Sequence, residues 1–222
     1  MSEPYKSSRR PGGRRTAPNA PGTPAQTREL RAQGRKTMRR LLDAGLRVFG
    51  ERGFHAARVD DIVRAARTSH GTFYLYFANK EDLLRALAVE CAEEMDALAL
   101  GIGPIPPDAA GAEELRRFLA AFFATYRRYG PVIRAWMEGH VADREATHLG
   151  VHAFTDIATT LGRRMREAGV PGDPASIPAL MALLERTAYF LVSRRLEFES
   201  DTLLDTVTDV VHRGFFRAGV RD

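Results

Sequence analysis

The sequence predicts an all-α protein of about nine helices, and three observations carry that prediction. Apolar residues recur at three- and four-residue steps from roughly Arg35 to Phe215, and no useful length alternates with period two. Gly, Pro, Ser and Asn punctuate those blocks where helix ends and caps need them. The charge is also divided: residues 1–80 carry 17 Lys and Arg against 6 Asp and Glu, a net of +11. Residues 81–222 carry 16 against 22, a net of −6.

A basic front joined to an acidic back suits one end to a polyanion, and nucleic acid is the expected one. With 222 residues, 44% hydrophobic and 27% charged, the chain is long enough to bury a real core. Its apolar runs are too short to cross a bilayer, so no membrane partner is expected. The N-terminus lacks an apolar secretory h-region, and the single cysteine, Cys91, permits no internal disulfide. Both features point to a cytoplasmic location.

Residues 1–27 hold five Pro, three Gly and no Leu, Ile, Val or Phe, so they cannot offset their own ordering entropy. Residues 1–33 are therefore expected to form a disordered basic arm. Arg9, Arg10, Arg14 and Arg15 suit it either to phosphates and a minor groove or to a purely solubilising role. A second unit is expected over 34–80. Met38, Leu41, Leu42, Gly45, Val48 and Phe49 give its first helix one apolar face, and Gly53 ends that helix. Val59, Ile62, Val63 and Ala66 form a short second helix, and Ser69 caps a third. Asn79 caps a fourth, which opens Lys80-Glu81-Asp82 and runs to about Leu100. The third unit, 81–222, continues past the breaker Gly101-Ile102-Gly103-Pro104-Ile105-Pro106-Pro107 in helical blocks near 112–129, 131–141, 144–168, 175–198 and 202–218. Pro131 and Pro174 are expected at first helical positions, the latter after a capping Asp173.

The stretch from Leu41 to Lys80 carries the chemistry. A short helix, a tight turn and a second short helix form the layout that sets one helix into the DNA major groove. Small or polar residues at the start of that helix let its backbone approach base edges, and Ser69, His70, Gly71 and Thr72 meet the need. Phe73 and Phe77 fall four apart, as core anchors do, along with Phe49 and Ile62. Tyr76 offers an apolar body with a hydroxyl for a phosphate, whereas Tyr74 is ambiguous between packing and contact.

Leu41-Leu42-Asp43-Ala44-Gly45, Phe49, Gly53-Phe54, Asp61-Ile62, Gly71-Thr72-Phe73-Tyr74-Leu75-Tyr76-Phe77 and Lys80 occur in one order and spacing. This pattern resembles the N-terminal domain of the tetracycline-repressor (TetR) family of bacterial transcription regulators. The resemblance implies that Arg58, Thr68, Ser69, His70, Gly71, Thr72, Tyr76 and Lys80 form the DNA surface, with Tyr76 and Lys80 holding the backbone. Three positions depart from the family pattern. Arg58 stands where Ser or Thr usually caps the second helix, so it keeps a phosphate contact but loses the cap. Arg67 replaces the usual turn glycine and must take that geometry at some strain. His70 replaces a common lysine, so its contact weakens above about pH 6.5.

Aromatic stripes in the acidic half are expected mainly in the core. Proteins that resemble this one use a cavity there for an inducer, which implies an apolar small-molecule effector near Phe122, Tyr126, Trp136, Met137, Phe154 and Tyr189. The last two helices are implied to form a homodimer interface. Ala179, Leu183, Thr187, Phe190 and Leu191 make one stripe; Leu203, Leu204, Val207, Val210, Val211 and Phe215 make the other. A two-fold dimer places recognition helices ~34 Å apart on a palindromic operator. The resulting expectation is a repressor released by its ligand; an architectural DNA-binding protein without an effector is the alternative. No catalytic constellation or cofactor fingerprint is evident, so neither enzyme activity nor a cofactor is expected. His148 and His152 have helical ligand spacing, but nothing completes a metal site.

Overall fold

The computed structural model describes residues 32–137, 144–170, 174–192 and 200–217. Eight helices and no strands occur among them: α1 Ala32–Arg52, α2 Val59–Ala65, α3 His70–Tyr76, α4 Lys80–Gly101, α5 Ala109–Met137, α6 Arg144–Glu167, α7 Ser176–Val192 and α8 Ser200–Phe215. The all-α expectation holds. The basic arm and Asp173 lie outside the described residues.

Helix ends follow their local chemistry. Gly53 leaves α1 at φ 76°, its N–H donating to the Phe49 carbonyl at 3.0 Å. Arg67 leaves α2 at φ 51°, the left-handed strain that the missing glycine imposes. It completes a Schellman turn, in which the Arg67 N–H donates to the Arg64 carbonyl at 3.2 Å and the Thr68 N–H to Val63 at 3.0 Å. Two donors and two otherwise orphan carbonyls are satisfied together, which offsets part of that strain. Ser69 Oγ accepts from the Thr72 N–H at 3.1 Å and Asn79 Oδ1 from Asp82 at 2.8 Å, so both expected caps are present.

The interior is organised around α4. Leu83, Leu84, Leu87, Ala88, Cys91, Ala92 and Met95 are all buried along it, and it packs against α1, α5 and α6. Gly45 lets α1 approach: a Cβ there would lie 2.6 Å from Leu83 Cδ2. Burial also pushes the Cys91 thiol well above its ordinary range, which makes it an inert packing residue.

One expectation is corrected. Pro131 does not start a helix; α5 runs unbroken from Ala109 through it to Met137. An interior proline removes one helical hydrogen bond and costs about 3 kcal/mol. Here Gly130 precedes it, so the usual clash with the preceding Cβ is absent. Tyr129, Val132, Ile133 and Ala135, all buried, then hold both halves of the helix against the core. The continuous α5 accounts for eight described helices instead of nine. At the other expected proline start, α7 begins two residues later, at Ser176.

The loop after α4 is clamped from three helices. Arg164 on α6 donates to the Ile102 carbonyl through Nη2 at 2.6 Å and Nε at 3.1 Å. Glu114 on α5 accepts the Gly103 N–H at 2.7 Å, and His212 on α8 donates its Nε2–H to the Pro106 carbonyl at 2.9 Å. Ile102 and Ile105 are buried beneath these bonds. Pro106 also meets α5 directly, since a Cβ on Gly111 would lie 1.8 Å from the Pro106 carbonyl oxygen. Backbone, not a flexible side chain, fills that space. Gly111→Ala should therefore destabilise the protein by about 1–3 kcal/mol, as overpacking does; urea denaturation followed by circular dichroism checks it.

Candidate nucleic-acid interface and internal cleft

The face of α3 is set by its spacing. Phe73 and Phe77 are fully buried, and Tyr76, three residues after Phe73, falls on the same side at 9% exposure. The body of Tyr76 therefore packs mainly into the core, as its apolar part was expected to do. Tyr74 and Leu75 point outward instead, 57% and 62% exposed. A helical wheel from Phe73 already separates Tyr74 from Tyr76, and this was the signal available for it.

Ser69, His70 and Gly71 are exposed at the start of α3, and Thr68 and Thr72 are half-buried beside them. The Ser69 and Thr72 hydroxyls lie 3.0 Å apart, which fixes both near the helix end. A Cβ on Gly71 would meet nothing closer than Ser69 Oγ at 3.8 Å, so internal packing does not dictate glycine there. His70 Nε2 lies 2.5 Å from Asp60 Oδ1 on α2. The hydrogen bond from His70 holds the Asp60 carboxyl below its usual range.

Arg58 precedes α2 in an extended conformation, and its side chain is exposed. Asp61 Oδ2 accepts the Arg58 N–H at 3.3 Å, the reciprocal half of a capping box. A guanidinium carries no acceptor, so the other half is missing, as the sequence implied. Arg67 is exposed at the turn between α2 and α3.

Lys80 differs from its expected role. Its Nζ donates to the carbonyls of Phe54 at 2.9 Å, His55 at 3.1 Å and Ala57 at 3.1 Å. An ammonium has three donors, and all three are used here. The same nitrogen lies 4.7 Å from the Phe54 ring centroid. Lys80 thus fastens the α1–α2 turn to the start of α4 and, through that turn, positions Arg58.

An ion network joins this unit to the rest of the chain. Arg39 on α1 bonds both Asp43 and Glu90, the latter on α4. Arg128 on α5 lies 3.3 Å from Glu90 and 2.7 Å from Glu94, which also accepts from the Tyr129 hydroxyl at 2.9 Å. Desolvation, followed by the hydrogen bond to Glu94, raises the Tyr129 phenol well above its ordinary range.

In the second half, α5, α6 and α7 enclose a cleft of about 390 Å³ lined by Ile133, Trp136, Thr147, Gly150, Val151, Phe154, Thr155 and Glu185. Trp136 and Phe154 are where the sequence expects ligand-lining residues. Phe122 and Tyr126 are corrections: both are buried, their rings 5.9 Å apart and tilted by 48°, inside the core. Tyr189 is 47% exposed with Arg186 over its ring, and it does not line the cleft. The Met137 side chain lies outside the described residues. Glu185, Thr147 and Thr155 were missed because no sequence spacing registers α7 against α6. The His148 and His152 rings lie 6.1 Å apart, and no cluster of three or more metal-ligating side chains occurs among the described residues.

Comparison with known proteins places the first of these two regions. A family model described as bacterial regulatory proteins, tetR family, matches residues 41–87. The fatty acid metabolism regulator protein of Bacillus subtilis is 41% identical over 58 residues, which cover 26% of this chain and 30% of that protein. The chain thus aligns with only about a third of the length of the curated relatives it matches. Its fold extends further: a tetR-family regulatory protein from Rhodococcus RHA1 superposes with a TM-score of 0.64 at 19% identity, covering 83% of this chain and 99% of that one. The regulator LfrR of Mycobacterium smegmatis, solved in complex with proflavine, gives 0.61 at 20% identity, covering 82% and 98%. Residues 41–87 thus match the model of the tetR-family regulatory proteins, and the all-helical architecture behind them has the fold of solved tetR-family regulators.

Proposed function

We propose that the protein is a homodimeric repressor that leaves a palindromic operator when a small apolar ligand enters the cleft. The observation that carries the DNA reading is the start of α3. Ser69, His70 and Gly71 are exposed there, Thr72 is braced by Ser69, and Arg58 and Arg67 flank them with positive charge. In this reading Ser69, His70, Thr72 and Tyr74 face the groove, while Arg58, Arg67 and Thr68 lie along phosphates.

The dimer reading rests on surface that one protomer leaves uncovered. Leu204, Val207 and Val211 of α8 turn inward, whereas Phe190 on α7 and Val210 on α8 stay 42% and 53% exposed. A second copy covers such faces by two-fold symmetry. The effector reading rests on the cleft, whose volume falls in the range of small-molecule sites. The proflavine complex of LfrR shows that this fold accommodates a ligand. Ile133 and Trp136 line the cleft from α5, the helix whose Arg128 reaches the α1-bound Glu90 through the ion network. A ligand that favours one arrangement of α5 therefore shifts the population of head positions.

Genomic footprinting with purified protein tests the whole reading. It should protect two half-sites related by dyad symmetry, with centres ~34 Å or one helical turn apart. Protection of scattered, unrelated sequences without symmetry would instead support an architectural role.

Two sets of variants probe the interface itself. Gly71→Ala should stabilise the isolated fold by roughly 0.5–1 kcal/mol, because alanine is the better helix former and has room. The same change should weaken operator binding if the backbone approaches DNA at that point, and gel-shift titration against the melting curve separates the two effects. Arg58→Ala should lower the slope of log affinity against log salt by about one. Lys80→Ala should lower the melting temperature and overall affinity while leaving that slope unchanged, because its ammonium is committed to three carbonyls.

A further inference from the structure

The cleft contains a charged group that an apolar ligand does not explain. Ile133, Trp136, Gly150, Val151 and Phe154 make most of its wall apolar, and the Thr155 hydroxyl is already bonded to the Val151 carbonyl at 2.7 Å. Glu185 of α7 is different. Its side chain is half-buried at the cleft wall, and no Lys, Arg or His among the described residues comes within 4.0 Å of it. The adjacent Arg186 makes no ion pair with it within 4.0 Å, and its guanidinium lies 5.4 Å from the Tyr189 ring centroid. A carboxylate drawn partly out of water without a cation has lost hydration and recovered little in return. Burial first, and then the Glu185 carboxylate, push the nearby Tyr126 phenol up to about 12, while Arg186 and Arg134 oppose the shift without cancelling it.

The aromatic wall has the matching chemistry. Trp136 is packed onto the α6 backbone, where a Cβ on Gly150 would lie 3.0 Å from its Cε2, so the indole is held by the scaffold. Its N–H is buried with no acceptor among the described residues. Phe154 supplies a second ring. Aromatic faces attract cations, tryptophan most strongly, and a nearby carboxylate adds direct charge pairing. An anionic ligand would bring a second negative charge beside Glu185.

We propose that the cleft binds a lipophilic organic cation, a quaternary or protonated amine on an apolar body, with the charged head at Glu185 and the body against Trp136 and Phe154. This rests on reading the cleft as the effector site, and it adds the charge of the ligand to that reading.

The test uses three probes with one apolar body: phenylbutyl-trimethylammonium, its uncharged tert-butyl isostere, and phenylpentanoate. Trp136 is the single tryptophan of the chain, so intrinsic fluorescence of the full-length protein reports binding at the cleft directly. The cation should bind at least about tenfold more tightly than the isostere, a difference of about 1.4 kcal/mol. Glu185→Gln should remove that preference while changing the isostere's affinity by no more than about twofold, as expected for a charge-pair effect. Melting curves confirm that the variant remains folded. Equal or tighter binding of the isostere overturns the proposal, as does a cation preference that survives Glu185→Gln. If phenylpentanoate binds most tightly, the charge assignment falls and the effector site stands. If no probe alters the Trp136 signal in the folded protein, the cation proposal and the effector reading of this cleft fall together.

Discussion

The burial of α4 is the constraint on which the other helices depend. Seven of its residues from Leu83 to Met95 are buried, and they face α1 on one side and α5 and α6 on the other. The N-terminal helices bury Phe49, Ile62, Phe73 and Phe77 among themselves, and α1 joins that core to α4. Gly45 marks how close the fit is, because the Leu83 side chain occupies the space where a β-carbon would stand. The same helix α4 thus contacts both α6 and α1.

Polar bonds then fix what packing alone leaves adjustable. Arg39, Glu90, Arg128, Glu94 and Tyr129 tie α1, α4 and α5 into one chain of charges. Most of these groups are partly exposed, so each pair adds little stability by itself. Their larger effect is on geometry, since rotating any of the three helices breaks bonds held by the other two. Lys80 acts similarly at shorter range, gathering three carbonyls that the α1–α2 turn leaves without helical donors. The loop after α4 shows the same logic. It is rich in proline and short of donors, and Arg164, Glu114 and His212 supply its partners from three different helices.

The two candidate regions combine commitment and vacancy in different ways. On α3, the aromatic side is spent on the core, which leaves a short polar end braced by its own cap. In the cleft, the apolar wall is set by α5 and α6, but Glu185 comes from α7 and has no ion-pair partner within 4.0 Å among the described residues. The first arrangement presents groups outward to a large partner. The second sets a carboxylate beside aromatic rings in a cleft of small-molecule size.

Local chemistry made much of this legible in advance. The helix ends at Gly53, the caps at Ser69 and Asn79, the strained turn at Arg67 and the half-made cap at Arg58 each depend on residues within a few positions. The buried pair Phe73 and Phe77 follows from helical spacing alone. Contacts between distant segments were not legible. Pro131 reads as a helix start, yet burial on both sides of it keeps α5 whole. Lys80 reads as a free cation until the turn 23 to 26 residues earlier folds against it. Phe122 and Tyr126 have the composition of a ligand wall, but the packing of α5 turns them into the core and leaves Trp136 and Phe154 at the cleft. The sequence by itself determined the all-α class, the helix-turn-helix and the helix ends that carry local caps, because those obey short-range sterics and periodicity. Only the tertiary structure decided which apolar faces close on each other, and therefore which charges stay unpaired at a surface or in a cleft.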